Sequence, residues 1–212
     1  MLSTLLKNSE FRSQFVTRFS DLMNTHFIPE RMIEIIRDAQ AVIEPEMPRH
    51  IHRWSAPRSM NHWRKSIDNM VEFAEKRPAI QRQHLQEFFD LNDLYTLSVD
   101  VDGAKRKADN GNDERMGTVR VNTIELGLKD DEVEKPVAAS DRAIMMEDVL
   151  AMPWSGQYFT GMPLELEAKP APGYRFSHWS MKGLDATQAR NPKLTLTPDE
   201  DVKIRAVMAP DH

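Results

Sequence analysis

From Leu6 onward the apolar positions Phe11, Phe15, Phe19, Leu22, Met23 and Phe27 recur mostly three or four residues apart, the spacing of one face of a helix. Asn8 or Ser9 stands where an N-cap belongs. Pro29 suits a first helical position, and Met32, Ile35, Ile36, Ala39, Val42 and Ile43 predict a second helix, antiparallel to the first because the link is short. Ser59 is placed to cap a third helix through Trp63, Ile67, Met70, Val71 and Ala74. Pro78 should end or kink it, with Ile80, His84, Leu85 and Phe88 continuing as a fourth. Near residue 92 the period changes. Tyr95 to Val101 alternates, and TVRVNTIELG, LELEAKP and KLTLTPDEDVKIRAVM repeat that strand pattern. Residues 102–117, DGAKRKADNGNDERMG, predict a long, mobile hairpin loop between the first two strands. Residues 128–153 are two-sided: RAIMMEDVLAM has helical spacing, whereas EKPVAAS ahead of it reads as loop.

Glycine sharpens this division. All eight glycines lie at or beyond Gly103, as expected if helices fill the first half and tight turns the second. The predicted fold class is α+β: a small helical bundle over residues 1–92, then a small β-rich domain, β-grasp-like or sandwich-like, over 93–212.

Charge and composition change the picture only by exclusion. The chain has 212 residues, no cysteine and a formal net charge of −5, which divides as +1 over residues 1–92 and −6 over 93–212. Disulfides, thiolate metal sites and thiol nucleophiles are excluded. The lysines and arginines read as interspersed with acids, so no nucleic acid partner is expected. No apolar run is long enough for a membrane span, and MLSTLLKNSE lacks the apolar core of a signal peptide.

The densest cluster of reactive side chains is EPEMPRHIHRW, residues 44–54, with Glu44, Glu46, His50 and His52. A zinc helix places its histidines at i and i+4, whereas His50 and His52 are two apart and Pro45 and Pro48 interrupt the helix. The stretch reads instead as a helix start in which carboxylates complement the dipole, arginines pair with neighbouring acids, and Trp54 is buried. The competing reading is a metal-assisted enzyme at His50 and His52. His26, His62 and His84 read as packing residues, and Glu165 and Glu167 as one solvated strand face. No G-x-S-x-G, P-loop or G-x-G-x-x-G occurs, so no catalytic residue, cofactor site or metal site is assigned.

The aromatics of the second half form a further constellation. Trp154, Tyr158, Tyr174 and Trp179 are the candidate ligand or partner contacts, and their exposure would make this half a carbohydrate-binding module. Parity opposes Trp179 to Phe176 on one strand, which predicts that the strand ends near His178 so that Trp179 folds back onto the core. Tyr174 is then the aromatic nearest solvent, with Gly173 in the turn ahead of it.

The run LLKNSEFRSQFVTRFSDLMNTHFIPERMIEIIRDAQAVIEPEMPRHIHRW, followed by a tryptophan-bearing helix and RPAIQRQHLQEFF, resembles the C-terminal helical end of the CotH family, the spore-coat protein H-like atypical protein kinases. The resemblance covers roughly residues 3–90. It implies that the family's nucleotide-binding and catalytic segments lie upstream, so none of its catalytic residues carries over. WSGQYFTGMPLELEAKPAPGYRFSHW and NPKLTLTPDEDVKIRAVM resemble a divergent InlB-type bacterial repeat. Together the resemblances imply an exported or cell-surface protein. Its helical segment would buttress a kinase lobe, and its β module would serve surface display or contact with a cell-surface protein or glycan.

Overall fold

The computed structural model describes residues 2–102, 106–107, 113–114, 116–127 and 152–211. A helical region leads into β-sheets, the α+β order that the change of period predicts. The helices are α1 (Leu2–Leu5), α2 (Ser9–Met23), α3 (Pro29–Ile43), α4 (Met47–Trp54) and α5 (Met60–Phe89). The strands are β1 (Leu94–Asp102), β2 (Arg106–Lys107), β3 (Asp113–Glu114), β4 (Gly117–Val121), β5 (Ile124–Leu126), β6 (Trp154–Phe159), β7 (Leu164–Pro170), β8 (Tyr174–Ser180), β9 (Lys193–Leu196) and β10 (Val202–Pro210), with a short helix α6 (Ala186–Ala189) before β9. Two compact units result, and their border runs through α2. Residues up to Asp21 group with those described from Asp90 onward, and Leu22–Phe89 form the other unit.

In the unit of residues 22–89, α3 and α5 lie antiparallel, tied by Arg37 to Asp68 at 3.3 Å and Glu44 to Arg64 at 2.8 Å. The expected third and fourth helices are one helix of 30 residues with Pro78 inside it. A proline there forgoes the bond to the Ala74 carbonyl at a cost of about 3 kcal/mol. Burial of Ala74, Pro78, Leu85 and Phe89 along the same face offsets that cost, and the helix runs on.

The other unit contains two four-stranded sheets, ordered β6-β1-β10-β8 and β5-β4-β7-β9, and a separate two-stranded ladder, β2-β3. Alternation explains how the large sheets meet. Tyr95, Leu97, Val99 and Val101 of β1 and Ile204, Ala206 and Met208 of β10 share one core with Val119 and Val121 of β4 and Leu164, Leu166 and Ala168 of β7. The sandwich-like form of the expected β domain is the one found.

Two local expectations fail, for identifiable reasons. β1 and β4 are not a hairpin, because β1 lies between β6 and β10 while β4 pairs with β5 and β7 in the opposite sheet. The tight hairpin is β4-β5, closed by Asn122 and Thr123, with Asn122 at a φ of 48°. Part of the expected loop, residues 102–117, carries the β2-β3 ladder; 103–105, 108–112 and 115 lie outside the described residues, as does most of 128–153. Likewise, β8 does not end near His178. It runs to Ser180, and its register with β10 shifts so that His178 pairs with Val207 but Phe176 with Met208. Ser177 is the extra residue of a β-bulge, which restores common facing to Phe176 and Trp179, their rings 5.3 Å apart. Gly173 has a φ of 84° in the turn ahead of Tyr174, as expected. Gly117 is required for a different reason: a Cβ there would sit 2.5 Å from the Lys169 carbonyl oxygen.

Candidate functional site

The corner at residues 44–54 is built as a helix start, with a turn of 3-10 helix at Glu44–Glu46 leading into α4. Glu44 accepts from Arg64 of α5 and Glu46 pairs with Arg49, so the carboxylates engage arginines as the spacing implies. Trp54, however, is not buried: it is 62% exposed, and the Arg53 guanidinium lies 5.1 Å from its ring centroid. The residue anchoring α4 inside is Met47, at the opposite end of the helix. His50 and His52 both sit on α4, where residues two apart point about 200° from one another around the axis. Among the described residues no three His, Asp or Glu side chains assemble into a cluster able to hold a metal ion. His84, expected on a packed face, is exposed.

The corner also departs from the even mixing of charge expected along the chain. From Met47 to Ile67 there is no Asp or Glu in 21 residues, against five Arg or Lys and three His. A window of that length was hidden by the overall acidity of the chain.

A second surface of the same unit is apolar. α3 and α5 enclose a groove of about 610 Å³, lined by Phe27, Met32, Ile35, Ile36, Met70 and Phe73 among others. Phe73 is 57% exposed. The helical spacing had assigned Ile35 and Met70 to a core, but the described residues leave both exposed.

The four candidate aromatics of the β unit separate by depth. Tyr158 and Trp179 are buried, and the Trp179 indole N–H donates to the Asn191 carbonyl at 2.9 Å. Trp154 and Tyr174 are half-buried against the core. Core packing therefore accounts for the first pair, and the second retains surface. Glu165 and Glu167 share the outer face of β7, where Arg120 and Lys193 flank Glu167. The hydrogen bond from Lys193 holds the Glu167 carboxyl below its usual range.

Asp21 is the feature that pattern reading missed. It is fully buried near the end of α2, where its carboxylate accepts from the Tyr158 hydroxyl at 2.9 Å, the Asn122 amide at 3.2 Å and the Thr123 backbone N–H at 3.1 Å. The Thr123 hydroxyl also donates to it and accepts in turn from Arg18. Burial raises the Asp21 pKa, opposed by these hydrogen bonds from Thr123, Asn122 and Tyr158. Its partners lie more than 100 residues away in the chain, so no local pattern marks it. This carboxylate is a structural hub that fixes the end of α2 to the β4-β5 turn and to β6.

Helices leading into a two-sheet β unit define an α+β protein with a helical and a β module. Residues 1–80 match the family model of the CotH kinase protein, and residues 150–211 match that of the divergent InlB B-repeat domain. Both resemblances seen in the sequence are thus found, each over the part of the chain that carries it. No curated protein and no solved structure matches the chain. Strands β1, β4 and β5 fall between the two matched segments, yet β1 occupies the middle of one repeat sheet. Among the described residues no helix is long and apolar enough to cross a membrane.

Proposed function

We propose that this chain is the non-catalytic C-terminal portion of a CotH-like protein. Its helical segment buttresses the kinase lobe, and its β unit serves surface display or interaction. The observation that carries this reading is the apolar groove between α3 and α5, with Phe73, Met70 and Ile35 exposed along it. Contiguous apolar surface of this kind marks a site of association. Its occupant under this reading is an apolar helical face of the family's catalytic lobe, because residues 1–80 are the part matched to that family. In the β unit, half-buried Trp154 and Tyr174 are the aromatics through which a cell-surface protein or glycan would make contact.

The test supplies a CotH-family catalytic lobe as a separate chain and measures its capture by the full chain. Capture is expected for the parent and lost in Phe73→Asp, while helical circular dichroism of the variant stays unchanged because Phe73 is exposed. Equal capture by both would reject the groove as the contact.

A further inference from the structure

The acid-free window from Met47 to Ile67 maps onto one end of the helical unit, because the Glu44–Arg64 bridge holds the end of α3 beside the first turns of α5. Of its five cations, Arg49 and Arg64 are paired with Glu46 and Glu44. Arg53, Arg58 and Lys65 make no ion pair among the described residues. The helix dipole explains Arg53, in the last turn of α4, but not the rest. α5 has no acid in its first turn, and the residue ahead of its Ser59 cap is Arg58, a charge of the sign that a helix N-terminus disfavours. Positive charge gathered against the local preference calls for a negative partner. The same end exposes apolar side chains: Trp54, Val42 at 71% and Ile43 at 49% exposure.

We propose that this end of the helical unit binds an anionic lipid surface. The phosphates of the headgroups would meet Arg53, Arg58 and Lys65, and Trp54 would lie in the interfacial layer, where an indole's apolar body and polar edge are both accommodated. The exposed aliphatics favour a bilayer over a soluble polyanion, which has nothing to offer Val42 and Ile43. The acids nearest this end are themselves engaged, Glu44 by Arg64, Glu46 by Arg49 and Asp68 by Arg37, and charges farther than about 10 Å are largely screened at physiological salt. Attachment would be peripheral.

The experiment is co-sedimentation of the full chain with vesicles of phosphatidylglycerol mixed with phosphatidylcholine, against vesicles of phosphatidylcholine alone. Binding is expected only to the anionic vesicles and should weaken with added salt. Each cation at the surface shifts partitioning by about fivefold, so Arg53→Gln/Arg58→Gln/Lys65→Gln should lower it by about 100-fold. Trp54→Ala should lower it by about tenfold, while Lys182→Gln/Lys203→Gln changes nothing. Phe73→Asp, which tests the lobe contact, should leave vesicle binding intact. The proposal is overturned by equal binding to both vesicle types, by no vesicle binding, by undiminished binding of the triple variant with its helical signal intact, or by binding of inorganic polyphosphate in place of vesicles.

Discussion

Asp21 shows how much one side chain decides. Asp21→Ala would leave the buried Tyr158 hydroxyl without its acceptor and remove the partly buried bonds from the Asn122 amide and the Thr123 N–H, and the expected loss of stability is roughly 2–4 kcal/mol by chemical denaturation. The pH dependence has a definite sign. Because burial raises the folded-state pKa above the ordinary value of 3.8, protonation favours the folded form. The contribution is therefore fully present below about pH 4 and is lost as pH rises through the raised value. Stability measured against pH should show this fall in the parent and not in Asp21→Asn. Trp54 makes the opposite case. Its ring is 62% exposed, so Trp54→Ala should change the thermal midpoint little, by less than about 0.5 kcal/mol in stability. A midpoint lowered by several degrees would restore the buried-anchor reading.

Among the elements, β1 carries the sharpest expectation. The InlB-like match spans 150–211, yet in the sheet containing β6, β10 and β8 the strand between β6 and β10 is β1, from outside that match. Its residues Leu97 to Asp102 pair with Val202 to Val207, and Leu94 to Val99 pair with Phe159 to Trp154. Removing it would cut β6 off from the sheet, leave β10 paired with β8 alone, and open a core in which Leu97 is at 0% exposure. A fragment of residues 150–211 is therefore expected to show no cooperative unfolding and weak amide dispersion, whereas the full chain unfolds cooperatively. A well-dispersed spectrum from the fragment would show that the repeat closes without β1. The failed hairpin has the same cause. Alternation reports which face of a strand is buried, and both sheets offer equivalent faces, so it says nothing about which strand lies alongside.

At the scale of the whole molecule, the chain alone should bind no ATP at micromolar concentration by calorimetry, because its sequence contains neither a P-loop nor a G-x-G-x-x-G motif. Binding mapped to these residues would overturn the non-catalytic reading. The α+β class, the helical period to residue 89, the strands of TVRV, LELEA and KIRAVM and the turn at Gly173 were legible in the chain, because each rests on contacts or backbone preferences within a few residues. The helix start at Glu44–Trp54 was legible for the same reason, and so were the two family resemblances. Continuity through Pro78, the bulge at Ser177, the burial of Asp21 and the exposure of Trp54, Met70 and Phe73 were decided only by the tertiary structure. Each of these balances a local preference against burial contributed by partners far along the chain, and a sequence pattern records the preference without naming the partner.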